Sequence, residues 1–327
     1  MQTIVECVPN FSEGRDRRAV DEIAAAIESV PDVFVLDLHL DPDHHRSVIT
    51  FVGSRESVGE AAVRAVGCAA ERIDLNRHSG EHPRIGAADV VPFVPVQGVT
   101  LEDCVGIAHT AGEEIARRFG IPVYFYGAAA RRPERVALEA ARRGGYERLK
   151  ELGLDDPART PDAGEPRLHP TAGATLVGAR PLLIAFNVNL DSADRAAAEQ
   201  IARAIRASSG GLPGVKAMGV LLRSRSVGGR AGQAQVSMNL TGFEQTTLAQ
   251  ARNAILMAFR AVEQEAARLG VGIHSSEIVG LAPHQALAGI RPEDLKLTDF
   301  SPDKILENRI AAALARRDFE PQRHKEH

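Results

Sequence analysis

Thirteen consecutive residues, Asp74-Leu75-Asn76-Arg77-His78-Ser79-Gly80-Glu81-His82-Pro83-Arg84-Ile85-Gly86, hold the densest set of groups able to do chemistry in this chain. Two histidines, two arginines and a glutamate sit on a stretch broken by Gly and Pro, between a helical pattern and an apolar strand. Such a loop presents side chains to a ligand without burying them unsatisfied, and Gly80 and Gly86 let backbone approach closely. The alternative is a solvated loop. Imidazole suits a reaction that removes and returns a proton near neutrality, because its pKa lies near neutrality. Both His78 and His82 qualify. His82 is preferred, since Pro83 biases it toward extended backbone and Arg84 can dock an anion beside it.

A second cluster, His39-Leu40-Asp41-Pro42-Asp43-His44-His45-Arg46, falls at the turn between two predicted strands. Together with the His78-to-His82 spacing it raises metal ligation. Histidines four apart form a pincer only on a helix, however, and Gly80 with Pro83 breaks one. No metal is expected. Pro9-Asn10-Phe11-Ser12-Glu13-Gly14-Arg15 reads either as a ligand-binding turn or as a helix start capped by Ser12. Asn239, in Val236-Ser237-Met238-Asn239-Leu240, lies on a strand that either lines a groove or is half solvated. The glycine pairs match no phosphate loop, so nucleotide binding is not indicated.

The elements that must position these residues follow an order that occurs twice. Strand 3–8, helix 17–30, strands 33–38 and 47–52, helix 56–72 and strand 90–96 form βαββαβ, carried by apolar periodicity such as Val20, Ile23, Ile27 and Val30. Strand 182–190, helix 193–207, strands 215–222 and 234–240, helix 245–269 and an extended 271–280 repeat it. The expected architecture is α/β (α+β), two ferredoxin-like subdomains over 1–178 and 179–327 with mixed sheets packed face to face and helices outside. Between the repeats lie a helix at 101–118, a strand at 122–126, a helix at 133–150 and a Pro/Gly-rich loop at 157–178. Loops of that length are linkers or binding segments, and Arg159, Arg167, His169 and Arg180 favour anion binding. The polar tail from Arg316 to His327 is expected to fray.

Composition narrows the function classes. With 327 residues and 44% hydrophobic content the chain can bury a large core, and its formal charge of -4 gives no electrostatic case for nucleic acid or an anionic membrane. Three scattered cysteines form neither a zinc site nor a disulfide framework and point to a reducing compartment. No signal-peptide pattern and no membrane-length apolar run is found, so a cytoplasmic location is expected.

Several segments resemble one family, the glutamate formiminotransferases. They are Val5-Glu6-Cys7-Val8-Pro9-Asn10-Phe11-Ser12-Glu13-Gly14, Gly80-Glu81-His82-Pro83-Arg84-Ile85-Gly86-Ala87, Val94-Pro95-Val96, Pro122-Val123-Tyr124, Gly173 to Arg180 and Ile184 to Leu190, in one order from about Met1 to about Pro283. The resemblance implies a homodimer of two-subdomain chains and transfer of a formimino group between N-formimino-L-glutamate and tetrahydrofolate, a co-substrate, in histidine degradation and one-carbon metabolism. It implies His82 as catalytic residue and folate contacts from Gly164, Glu165, Pro166, Arg167, Leu168, His169, Pro170, Thr171, Ala172 and Gly173, in a groove between the subdomains. Asn10 and Asn239 join the substrate set, and Arg46, Arg84 and Arg180 are the expected partners of the substrate carboxylates. Vertebrate members carry a fused cyclodeaminase, so a separate deaminase is expected to complete the pathway here. Two departures stand out: Asp37-Leu38-His39 where the family usually reads Asp-x-Asp, and His45-Arg46-Ser47 where it usually reads Asn-Arg-Thr. Either Asp41 or Asp37 takes over the acid's role, or the substrate differs. The alternatives are therefore a formyl donor (N-formylglutamate) and a folate-binding protein without turnover.

Overall fold

In the computed structural model the chain divides into two units, Met1–Pro181 and Leu182–His327, described over residues 3–80, 83–227, 229–242, 248–287, 289–298 and 300–319. It is a mixed α/β protein with a seven-stranded and a four-stranded sheet and, among the described residues, nine α-helices.

The N-terminal unit begins with β1 (Ile4–Cys7) and β2 (Asn10–Phe11), two pieces of one strand line interrupted at Val8-Pro9. Proline lacks the N–H a ladder needs. Helix α1 (Arg17–Glu28) is capped by Asp16, whose carboxylate accepts from the amides of Arg18 and Ala19. It turns Ala19, Val20, Ile23 and Ile27 inward. After the hairpin of β3 (Val33–Asp41) and β4 (Arg46–Gly53), α2 (Val58–Arg72) buries Val58, Ala62, Val66 and Ala69, and β5 (Ala88–Gln97) closes the set. β4 lies between β3 and the β1/β2 line, which in turn pairs with β5, every pair antiparallel. Phe11, Phe51, Phe93 and Phe125 are fully buried in the core between sheet and helices, each contributing about 1.5–3 kcal/mol by burial.

Beyond β5 the sheet is extended. Helix α3 (Leu101–Phe119) opens with a reciprocal Thr100/Asp103 capping box and ends at the left-handed Gly120. β6 (Val123–Gly127) follows, and β7 (Thr175–Ala179) inserts between β5 and β6, parallel to both. The 157–178 stretch is therefore not all loop. All five residues of β7 are buried, and a strand covered on both faces shows none of the alternation that marks a half-exposed one. The helix expected over 133–150 is also corrected. It is a 3-10 turn at Pro133–Arg135, then α4 (Leu138–Ala141) and α5 (Gly145–Leu152). Gly144 and Gly145 both have positive φ, which no continuous right-handed helix accommodates.

The C-terminal unit holds β8 (Ile184–Leu190), α6 (Arg195–Ile205), β9 (Val215–Val227), β10 (Arg230–Leu240), α7 (Leu248–Arg268) and β11 (Ile273–Val279), with spatial order β11-β8-β10-β9, all antiparallel. Ile184, Phe186, Val188 and Leu190 alternate with Asn187 and Asn189, so one sheet face meets α6 and α7 while the other is polar. On the polar face Gln235 donates to Asn189 and to Glu277 at 2.9 Å each, and Asn187 donates to Glu277 at 3.1 Å. Helix α8 (His284–Leu287) and α9 (Leu306–Phe319) complete the unit. Residues 316–319, expected to fray, belong to α9; 320–327 lie outside the described residues.

Candidate active site

Three segments of the N-terminal unit converge around the loop that precedes β5: the turn 12–15, the β3–β4 hairpin turn 41–46, and the loop 74–86 itself. Ser12 ties the first to the third, its hydroxyl donating to the Gly86 carbonyl at 2.7 Å and its amide to the Ala87 carbonyl at 2.8 Å. Gly80 packs so closely on the hairpin turn that an added Cβ would stand 2.5 Å from the His44 carbonyl oxygen and 2.7 Å from the His45 Cβ. Only glycine permits that approach.

The hairpin turn is organised by Asp41. One carboxylate oxygen accepts from the amides of Asp43 and His44, both at 2.9 Å, and the other meets His44 Nδ1 at 2.7 Å. Burial alone would raise the Asp41 pKa, but the hydrogen bonds and charge supplied by His44 outweigh it and hold the carboxyl well below the ordinary range. His45, in the left-handed region at φ 49, bridges the other two segments. Its Nδ1 meets the Ser79 carbonyl at 2.9 Å, its Nε2 meets Glu13 at 3.2 Å, and its ring stacks on His78 with centroids 4.2 Å apart and planes 10° from parallel. Glu13 also accepts from the amides of Arg15 and Asp16. Against the opposing effect of burial, these bonds keep its carboxyl below the usual value.

His78 donates from Nε2 to the His45 carbonyl at 2.9 Å, while its Nδ1 is buried without a hydrogen-bond partner. The ring is thus neutral, with a lone pair on Nδ1. Burial first, then the nearby charge of Arg84, pushes its pKa from 6.5 down to about 4, opposed by the bond to His45. An unfolded imidazole takes its proton near 6.5, so between that pH and about 4 the unfolded chain binds more protons than the folded one. Stability should therefore fall as pH drops through this window, with Glu13 and Asp41 adding to the loss only below 4.5 and 3.8. Urea midpoints across the window, compared with those of His78→Asn, measure the effect. A wild-type profile no steeper than the variant's would remove the assignment.

Past residues 81 and 82, Arg84 donates to the His78 carbonyl at 3.1 Å and to Glu147 at 2.8 Å, and its Nε is buried without a partner. The Ile85 amide donates to Asp89 at 2.8 Å, and Asp89, 2% exposed, accepts from Arg142 at 2.8 Å. Arg46 on β4 lies in the fields of Arg142, Asp41 and Asp89, and burial together with the like charge of Arg142 brings its pKa down to about 10.

The segment 157–173 is pinned at both ends. Asp162 forms a buried ion pair with Arg135 at 2.7 Å and accepts from the Phe125 amide at 2.8 Å. Arg159 is spent on the Gly153 carbonyl and on Asp156, so its guanidinium is committed locally. Gly164 (φ 87) turns the chain, and Glu165, Pro166 and Arg167 are exposed. Leu168 packs on a small apolar cluster, while His169 Nδ1 accepts from the Ala172 amide at 3.0 Å. The carbonyls of Pro170 and Thr171 accept from the Asn76 side chain and the Leu75 amide, each at 2.9 Å. Ala172 is buried and Gly173 has φ 69. A cavity of about 370 Å³ opens here, lined by Tyr146, Leu149, Lys150, Leu154 and residues 166–170.

Of the expected site residues, Arg84 belongs to the 74–86 loop, Arg46 lies in the field of Asp89, which holds the Ile85 amide, and 164–173 abuts the loop's first turn. Asn10 is on β2, its side chain turned back to the Val8 carbonyl at 3.0 Å. Arg180 follows β7 and donates to the Pro181 carbonyl at 3.0 Å. Asn239 is an exposed residue of β10 in the other unit, paired with Ala185 and Lys216. His82 lies outside the described residues. Sequence reasoning missed Asp89 and Arg142; the signal was a lone carboxylate in the apolar run Ala87-Ala88-Asp89-Val90-Val91, since a buried charge must be paired.

Two α/β units, one of which gathers imidazoles, guanidiniums and carboxylates around a single loop, define a class suited to acid–base group transfer on an anionic substrate. The comparisons narrow it. Residues 4–180 match the formiminotransferase domain, N-terminal subdomain, and residues 185–291 match the formiminotransferase domain. The chain is 44% identical over 311 residues to a glutamate formimidoyltransferase of Streptococcus pyogenes serotype M1, covering 95% of this chain and 99% of that one. It is 45% identical over 313 residues to the glutamate formimidoyltransferase of Thermoplasma acidophilum, covering 95% and 98%. To the formimidoyltransferase-cyclodeaminase of Sus scrofa it is 42% identical over 293 residues, spanning 88% of this chain and about half (51%) of that protein. The chain belongs to the formiminotransferase family.

Proposed function

We propose that the protein is a one-carbon transferase that moves the formimino group between N-formimino-L-glutamate and tetrahydrofolate, giving 5-formiminotetrahydrofolate and glutamate, in histidine degradation. The observation that carries this is the near-complete alignment, at 44% and 45% identity, with two stand-alone glutamate formimidoyltransferases. In the reaction N5 of tetrahydrofolate bonds to the amidine carbon and loses its proton. The bond from that carbon to the glutamate nitrogen then breaks as the departing nitrogen gains a proton. His82 is assigned both transfers, worth about 10²–10⁴ in rate. The assignment draws support from its neighbours: Gly80 on one side and Arg84 on the other are each tied to the histidine-rich hairpin or to His78.

Arg84, with its unpartnered Nε, is assigned to a substrate carboxylate, with Arg46 and Arg180. The loop Gly164–Gly173, beside a cavity carrying Lys150 and Tyr146, is assigned to the folate, with Asn10 and Asn239 as further contacts. The strand order of each unit supports reading both as ferredoxin-like. A homodimer, a cytoplasmic location and a separate cyclodeaminase belong to the same reading.

A formyl donor is the second reading, because His39 stands where an acid is usual and Asp41, one of the two acids (with Asp37) that could replace it, is engaged with His44. Assaying N-formimino- and N-formylglutamate side by side with tetrahydrofolate tests the proposal. The formimino compound should be the better donor by kcat/KM. A preference for the formyl compound would reassign the substrate, and tight tetrahydrofolate binding without turnover on either would make the chain a binding protein.

A further inference from the structure

We propose that His45 is a positioning residue for the loop that carries His82, holding the backbone at Ser79-Gly80 in place through a clamp completed by Glu13 and His78. The inference rests on the acid–base role assigned to His82. Four observations support it, each independent of that role. The Ser79 carbonyl, three residues before His82, meets His45 Nδ1 at 2.9 Å. The opposite ring nitrogen faces the Glu13 carboxylate at 3.2 Å, so the ring is held at both ends and cannot swing. The His78 ring lies flat on it at 4.2 Å and returns a hydrogen bond to the His45 carbonyl at 2.9 Å. Gly80 then packs against the His44–His45 backbone with no room for a Cβ.

Both ring nitrogens of His45 face protein oxygens, a carbonyl and a carboxylate. The backbone of His45 adds to the argument. A φ of 49 is uncommon for a residue other than glycine or asparagine, and such a conformation persists where its surroundings over-determine it. Here the surroundings are the loop that must be aimed. Glu13 is itself fixed by two backbone amides at the start of α1, so the clamp connects the 74–86 loop to a helix terminus rather than to another loop. A group that removes a proton in the transition state must be placed within hydrogen-bond reach of it. Misplacing it by about 1 Å costs up to about a hundredfold in rate, whereas Arg84, the carboxylate partner on the same loop, keeps a separate anchor in Glu147.

The test is steady-state kinetics of the full chain with formiminoglutamate and tetrahydrofolate, beside thermal melting, for His45→Ala, His45→Asn and Glu13→Gln. His45→Ala should lower kcat about tenfold or more with KM for either substrate within about twofold, the pattern of an interaction that acts in the transition state. His45→Asn, which tolerates positive φ and can donate to the Ser79 carbonyl, should recover most of that loss. Glu13→Gln keeps an acceptor but loses the charge and should lower kcat about threefold; it decides the matter if the alanine variant does not fold. A folded His45→Ala, or a Glu13→Gln, with wild-type kcat overturns the clamp, as does a change confined to KM. His82→Ala run alongside separates the two ideas. If it retains activity the role of His82 fails, whereas if it is inactive and the clamp variants are not, only this inference fails.

Discussion

His82→Ala is expected to lower the rate of formimino transfer by at least about a hundredfold while leaving the protein folded. The size follows from the chemistry. Secondary amines attack amidine carbons, but the adduct partitions back unless N5 loses its proton and the glutamate nitrogen gains one. A single imidazole in reach of both does the two jobs at a pH near its own pKa. His78 is not equipped to replace it. Its pKa is pushed down to about 4, chiefly by burial, and its Nε2 is committed to the His45 carbonyl. That depression makes His78 a weak base at neutral pH. Single-turnover rates with tetrahydrofolate, read as the folate product forms, distinguish loss of chemistry from loss of binding. A kcat within a few-fold of wild type would remove His82 from the mechanism, and the next variant to make would be His39→Ala.

Much of this architecture was readable from the sequence because it obeys simple periods. Val20, Ile23 and Ile27 mark α1 at helical spacing, and Asn187 and Asn189 among Phe186, Val188 and Leu190 mark β8 by alternation. What escaped was whatever depends on partners distant in sequence. β7 was hidden because β5 and β6 cover both its edges and the layers cover both its faces, leaving an apolar pentapeptide without a period. The break between α4 and α5 depends on two adjacent glycines adopting left-handed backbone, which the apolar spacing of 133–150 does not report. In the site, the histidines of the hairpin turn were noticed as a cluster, but their use was not legible. Residues 13, 45 and 78 meet only after two strands and two helices have folded, and the pairing of His45 with Glu13 spans 32 positions. The Asp89–Arg142 pair spans 53 and was missed altogether.

That pair carries the second large effect: Asp89→Ala should destabilise the protein by about 3–5 kcal/mol, the usual cost of removing one partner from a buried ion pair. Asp89 is 2% exposed and the side chain of Arg142 13% exposed, so water does little to replace what is lost. Two groups are orphaned at once. The Arg142 guanidinium is left beside the charge of Arg46, whose pKa is already brought down by burial and by Arg142. The Ile85 amide loses its 2.8 Å acceptor, a loss that alone costs about 1–3 kcal/mol when buried. A shift of this size lowers the melting temperature by roughly 10 °C in a unit of this length. Asp89→Asn retains an oxygen for Ile85 and removes the charge, so it should fall between wild type and Asp89→Ala. Arg142→Met added to Asp89→Ala should recover part of the loss, because the stranded cation is gone. Urea midpoints for the four proteins read the effects directly, and a cost below about 1 kcal/mol for Asp89→Ala would show the pair to be dispensable. Activity should follow the same order, since Asp89 fixes the Ile85 amide, three positions after His82 in the sequence. Folded Asp89→Ala with full kcat would mean that the loop is aimed from its other end alone, at Ser79 and Gly80.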